Sequence, residues 1–441
     1  MSSSVSLNTF QYAAIPDRET LHRTFRNAQQ RAVYGEFILW GLLLVCFFCI
    51  DWVEAYRDAL HSIVALALVP FQMVPGLIMT FTKKKKRIED LSESTRFGVF
   101  DKNLLRRTTQ EVLDKLSIPK ERVNVFITAD KELNAFAVTL GLSRFFPQFR
   151  GIYLNRQTLH LLSPEELRSW IGHELGHLFP YALRSDQSIG LRLVAGSLLA
   201  LLVLQWVGVR DGLGFMAVFA VCWGFFTVTS LTRTRLSQVV EYLCDEYGCI
   251  AAGANAAVTD LVRASRESLA HFNLMMYAKQ LAAEGKTASE QDALRVYQEA
   301  LGYGTTDVER TRKRIHEVIL QRKQQNGGLS FSGLIDFMWR DPSSDSPASQ
   351  ARDELKQIHR VLQKLPTIDW FSQSDWDGKA IMRDDQLDDL VEALITKPDH
   401  LLVPLMEEVQ ADDALTHPSY RNRIIYLWVN HEAIVDRSLS R

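Results

Sequence analysis

Leu162-Ser163-Pro164-Glu165-Glu166-Leu167-Arg168-Ser169-Trp170-Ile171-Gly172-His173-Glu174-Leu175-Gly176-His177-Leu178-Phe179-Pro180 specifies a helix and gives it a chemistry. Ser163 suits the N-cap, Pro164 the first helical position, and Glu166 stands three residues after Ser163, as a capping box requires. Pro180 ends or kinks the helix. Inside it, His173 and His177 are four apart and share a face, so both imidazoles can point at one metal ion. Glu174 projects beside them, placed to take a proton from water activated by that metal.

A catalytic zinc site usually has three protein ligands and one open position. A third histidine six residues after His177 is excluded, because Leu183 stands there. No Glu occurs between Glu174 and Glu241, and no His between His177 and His271; Asp186 and Asp211 are the only acids in the gap. Glu241 is therefore the best candidate. Asp245 follows four residues later on the same helix face, where a second carboxylate can hold a ligand imidazole.

Around this centre the chain alternates between two kinds of sequence. Phe37 to Ile50, Ile63 to Phe81, Leu193 to Val209 and Leu213 to Leu231 are apolar runs, read as four transmembrane helices in two hairpins. The first loop carries Asp51, Glu54 and Asp58 against one basic residue, Arg57, whereas Lys83-Lys84-Lys85-Lys86-Arg87 follows the second run. The positive-inside rule puts the N-terminus and residue 83 onward in the cytoplasm, with the lysine run at lipid headgroups. Two spans between His177 and Glu241 return the chain to the side it left.

The expected domains are a cytoplasmic segment 1–36, a transmembrane hairpin 37–81, a domain 88–185 that carries the metal helix, a second hairpin 191–231 and a third-ligand helix 232–255. A helical insertion spans 256–410, with a Gly/Ser/Pro-rich linker near 326–350, and a C-terminal part 411–441 completes the chain. Residues 100–116 read as an amphipathic helix; Val123 to Thr128, Leu133 to Leu140 and Gly151 to Leu154 read as strands. The fold class is α+β, predominantly α-helical, in an integral membrane protein.

A net charge of −2 gives no reason to expect nucleic acid as a partner. Five cysteines are too few and too scattered for a disulfide framework. Cys46 and Cys49 lie in an apolar run, where cysteine behaves as a small hydrophobe.

Four motifs in order carry a resemblance: Asn134-Ala135-Phe136-Ala137, His173-Glu174-Leu175-Gly176-His177, Glu241-Tyr242-Leu243-Cys244-Asp245, and Thr416-His417-Pro418 with Arg423. In these the sequence resembles the M48 zinc metalloproteases, and in its span count their HtpX-like membrane branch more than the Ste24 branch. The resemblance implies a gluzincin-like domain holding one zinc ion per chain on His173, His177 and Glu241, with Glu174 as base and Asp245 behind a ligand. It implies that Asn134, Ala135 and Phe136 mark an edge strand that binds substrate, and that His417 and Arg423 lie across the cleft. The expected partners are polypeptides, chiefly membrane proteins, and the lipid bilayer. The expected setting is a bacterial inner membrane, with the catalytic domain facing the cytoplasm and a role in quality control of membrane proteins. A dedicated processing peptidase and a zinc-stapled, non-catalytic scaffold are the alternatives. The segment 255–410 is longer than its HtpX-like counterpart, and nothing in it suggests chemistry.

Overall fold

Both halves of the cap expected at Ser163 are present in the computed structural model. The helix Pro164–Leu178 starts with Ser163 Oγ accepting from Glu166 N at 3.2 Å, while Glu166 Oε2 accepts from Ser163 N at 2.7 Å. Leu167, Ile171 and Leu175 are fully buried at i, i+4 and i+8. This stripe meets Leu105, Val112 and Leu113 of the helix Lys102–Lys115, and Ile152 and Leu154 of the sheet. Burial of each such side chain contributes about 2 kcal/mol. The structure describes residues 15–71, 84–120, 123–129, 135–139, 150–160, 162–183, 188–207, 212–266, 380–396 and 418–439.

Among the described residues six strands are formed: β1 (Lys85–Arg87), β2 (Arg96–Phe97), β3 (Phe100–Asp101), β4 (Asn124–Thr128), β5 (Ala135–Thr139) and β6 (Arg150–Asn155). β2 and β3 pair as a small hairpin; the other four form a sheet in the order β1-β4-β6-β5. β4 and β6 are parallel and the remaining pairs antiparallel. Strand periodicity sends Val125, Ile127, Ile152 and Leu154 into the core. The opposite face carries stacked rings, Phe126 on Tyr153 at 4.9 Å and Phe136 on Tyr153 at 5.0 Å. Lys85 Nζ stands 5.4 Å from the centre of the Tyr153 ring.

The lysine run is thus part of the sheet. Lys85, Lys86 and Arg87 pair with Thr128, Ile127 and Phe126, three residues ahead of the expected domain start at 88. Lysines suit an edge strand because their charge discourages pairing with another chain, and their stems cover apolar surface. Lys83 lies outside the described residues.

Gly212–Ala252 is one helix of 41 residues. The expected domain limit at 231/232 falls inside it: Thr232 to Gln238 contains neither Gly nor Pro, and a change from apolar to polar sequence does not break a helix. The helix stops at Gly253, whose φ of +96° supplies the left-handed C-terminal position. The long helix and the capped helix meet through glycines. A Cβ on Gly172 would stand 2.6 Å from Ala251 Cβ, one on Gly176 2.9 Å from Cys244 Sγ, and one on Gly248 2.8 Å from Ser169 O. Backbones approach this closely only where no side chain intervenes.

The N-terminal helix is Arg18–Cys49 and crosses the expected boundary at 36/37, again with no proline to stop it. Two helices among the described residues are long and apolar enough to cross a membrane, this one and Gly190–Val207. Only 6% of the most apolar window of the first is buried, and Phe37, Ile38 and Phe48 are exposed. Of the other two expected spans, 63–81 is described only to Phe71, and 213–231 is the start of the long helix. Four transmembrane helices therefore do not emerge from the described residues.

Asp51 caps the short helix Trp52–Arg57, which leads into Ala59–Phe71. Gln205 bonds to Asp51 in both directions, accepting from its N at 3.0 Å and donating to its O at 2.8 Å. Ser197 Oγ donates to Leu66 O at 3.0 Å. Ala65, Ala200, Leu204 and Val218 fill the space between these helices. Small residues with a few side-chain hydrogen bonds are the usual glue between apolar helices.

The chain divides into two compact units. Arg18–Asp260, Asp412–Pro418 and Asn430–Arg441 form the unit just described; Met1–Asp17, Leu261–Ala411 and Ser419–Val429 form the other. In the latter, Asp384–Thr396 packs on Tyr420–Val429. Arg421 Nε and Nη2 donate to Leu394 O at 3.0 and 2.8 Å, satisfying a carbonyl at the helix end, and Trp428 Nε1 donates to Asp388 Oδ1. Of the expected insertion 256–410, only 256–266 and 380–396 are described, and the linker near 326–350 lies outside.

Candidate metal centre

The capped helix presents His173 and His177 one turn apart, and the long helix brings Glu241 to them through the glycine contact. Ligand atoms of His173, His177 and Glu241 lie within 4.8 Å of one another. His173 Nε2 is 3.2 Å from His177 Nε2 and 3.5 Å from Glu241 Oε2, and His177 Nε2 is 3.4 Å from Glu241 Oε1. A tetrahedron of zinc bonds about 2.0–2.1 Å long has edges of about 3.3–3.4 Å. The donor types and their spacing therefore fit a zinc ion.

His173 Nδ1 lies 2.9 Å from Asp245 Oδ1. This contact fixes the ring and leaves Nε2 facing the cluster. Glu241 and Asp245 are both about 4% exposed. Burial alone would lower the pKa of His173, but the Asp245 and Glu241 carboxylates outweigh it and raise the value to about 10 in the metal-free protein. Two buried carboxylates around one imidazole leave negative charge for a cation to neutralise.

Glu174 is 7% exposed and has no hydrogen-bond or ion-pair partner among the described residues. A buried carboxylate without a protein partner is costly to a fold and is available to water or substrate. β5 has one strand neighbour among the described residues, β6, and the capped helix packs against it. Its backbone pairs Ala135 with Leu154 and Phe136 with Tyr153. Among the described residues β5 is thus the terminal strand of the sheet, and it packs against the helix that carries the histidines.

Of the remaining residues singled out from sequence, Asn134, His417, Asp186 and Asp211 lie outside the described residues. Arg423 is on the helix Tyr420–Val429, with its guanidinium 5.6 Å from the centre of the Tyr420 ring. Two features escaped the reading of the sequence. One is the set of contact glycines, of which Gly172-x-x-x-Gly176 was visible as a small-residue repeat. The other is Glu246, a 1% exposed acid that meets Arg18 and His22, more than 220 residues away in the chain.

The model of peptidase family M48 matches residues 101–427, well over half of the chain. The chain belongs to peptidase family M48. No curated protein and no solved structure matches it. The M48 match opens at Asp101, the N-cap of Lys102–Lys115, and takes in the cluster on both helices. M48 membership makes the protein a peptidase of a generally metal-dependent kind, and His173, His177 and Glu241 could hold the metal. The N-terminal helix precedes the M48 match.

Proposed function

We propose that this M48 peptidase is a membrane-anchored zinc endopeptidase that cleaves polypeptides, chiefly membrane proteins, at the cytoplasmic face. The convergence of His173, His177 and Glu241 beside the unpartnered Glu174 carries the reading. His173, His177 and Glu241 would hold the ion, with Asp245 orienting His173. Zinc bound there supplies a Lewis acid that acidifies water and polarises the scissile carbonyl.

The rest of the chemistry falls to the protein. A carboxylate oxygen of Glu174 takes a proton from the attacking water and returns it to the leaving amine nitrogen. His417 would help to stabilise the developing oxyanion. Asn134, Ala135 and Phe136 would bind the substrate as an added strand, a reading supported by the packing of β5 against the helix that carries the histidines. Such binding recognises backbone shape more than side chains, and that breadth suits removal of damaged membrane proteins. The exposed apolar half of the N-terminal helix supports anchoring, and the acidic first loop against the lysine run supports a cytoplasmic site.

The test compares purified wild type with Glu174→Gln on an unfolded membrane substrate, with and without chelator. Turnover should fall about 10²-fold or more in the variant while zinc stays bound. Equal proteolysis by the two proteins would overturn the reading.

A further inference from the structure

The N-terminal helix reaches the metal centre. Arg18, His22, Phe25 and Gln29 recur at i, i+4, i+7 and i+11 and therefore share one face. Arg18 Nε and Nη2 donate to the two carboxylate oxygens of Glu246, both at 2.9 Å. His22 Nε2 lies 3.1 Å from the same carboxylate. Phe25 stands edge-on to Tyr181 at 5.5 Å, and Gln29 Nε2 donates to Ala182 O at 2.8 Å. Tyr181 and Ala182 lie just past the C-terminus of the capped helix, and Glu246 is on the long helix. One face of one helix thus grips both elements that bear the cluster.

The grip falls where it matters. Glu246 directly follows Asp245 and is five residues beyond Glu241, with no helix break between them. A turn of the long helix about its axis moves all three carboxylates together. A two-point guanidinium–carboxylate contact fixes both distance and orientation, as a single charge contact does not. At 1% exposure Glu246 has little solvent to fall back on. Arg18 and His22 also lie ahead of residue 101, where the M48 match begins.

We propose that Arg18 and His22, acting through Glu246, are positioning residues for the metal centre. They hold the long helix at the rotation in which Asp245 meets His173 and Glu241 meets both imidazoles. The N-terminal helix is then part of the machinery as well as an anchor. The proposal rests on the zinc reading of His173, His177 and Glu241.

The experiment uses full-length protein in nanodiscs: wild type, Arg18→Met, Arg18→Lys, Glu246→Gln and the double variant Arg18→Met/Glu246→Gln. Zinc affinity is measured by competition with a chromogenic chelator, and the melting temperature is measured on the metal-free protein. Arg18→Met should weaken zinc binding about 10- to 100-fold, the range for loss of a support behind a ligand. Arg18→Lys, which keeps a cation but loses the fork, should fall between it and wild type. The double variant removes both charges of the Arg18–Glu246 pair together, so its metal-free melting temperature should return toward wild type while its zinc affinity stays low. Recovery of both would reduce the pair to charge balance and overturn the proposal. Unchanged affinity in Arg18→Lys and the double variant would also overturn it, whether or not Arg18→Met folds. Wild type without tightly held zinc would overturn the zinc reading and the clamp together; tight wild-type zinc with unaffected variants overturns the clamp alone.

Discussion

Asp245 Oδ1 stands 2.9 Å from His173 Nδ1, while the other ring nitrogen of His173 faces Glu241 and His177. The contact assigns the proton of the neutral ring to Nδ1 and the free lone pair to Nε2. Asp245→Asn keeps the shape but removes the charge behind the imidazole. Zinc affinity should drop about 10- to 100-fold, whereas Glu241→Ala should abolish tight binding. Zinc content of the purified, folded variants decides between these roles. Stoichiometric, tightly held zinc in Glu241→Ala would show that the third ligand lies elsewhere.

The reach of Glu241 depends on the glycine contact. Gly172→Ala puts a methyl group 2.6 Å from Ala251 Cβ, with helix backbone on both sides and no flexible side chain to yield. The helices must part, at a cost of about 1–3 kcal/mol. Both the melting temperature and the zinc affinity should fall. The companion change Gly190→Ala, at a glycine with open space around it, should leave both unchanged. A Gly172→Ala protein with wild-type zinc affinity would uncouple the packing from the site.

The raised pKa of His173 has a definite sign. In the metal-free protein the folded value is about 10 against an ordinary 6.5. The imidazolium therefore stabilises the metal-free fold fully below about pH 6.5, and that contribution is lost as pH rises through about 10. Zinc binds the neutral ring, so uptake between those limits must expel the proton. Calorimetry at pH 8 in two buffers of different ionisation enthalpy should find about one proton or more released per zinc. Zinc uptake at pH 8 without proton release would contradict the charged state assigned to the metal-free site.

Orientation is testable at two exposed positions. Tyr56 lies on the short helix Trp52–Arg57, in the acidic stretch after the N-terminal helix, and Ser94 follows β1. In a cysteine-free background, Tyr56→Cys should react with an impermeant maleimide on intact cells, and Ser94→Cys only after permeabilisation. Labelling of Ser94→Cys from outside would reverse the proposed topology.

The sequence made the capped helix legible because its determinants are local: a capping box four residues long and a histidine spacing of four. Glu241 was legible by elimination, since the gap from His177 holds so few acids. The strands β4 and β6 could be seen in their β-branched and aromatic residues. β1 could not, because a Lys/Arg run becomes a strand only through its partner β4. The expected domain limits at 36/37 and 231/232 both fall inside single helices, for one reason. Apolar and polar stretches differ in what they face, but both continue a helix when no Gly cap or Pro intervenes. Glu246 was hidden because Arg18 is distant in the chain and close only in the fold.

The unbroken helix from Gly212 to Ala252 makes chain length a matter of phase. Inserting one residue between Leu231 and Glu241 would turn the apolar half about 100° against the ligand-bearing half. No loop stands between them to absorb the turn. Eleven residues, about three full turns, would nearly restore the alignment, whereas two or five would not. Relatives that keep this helix should differ in length here by whole numbers of turns, or place a kink where this chain has none.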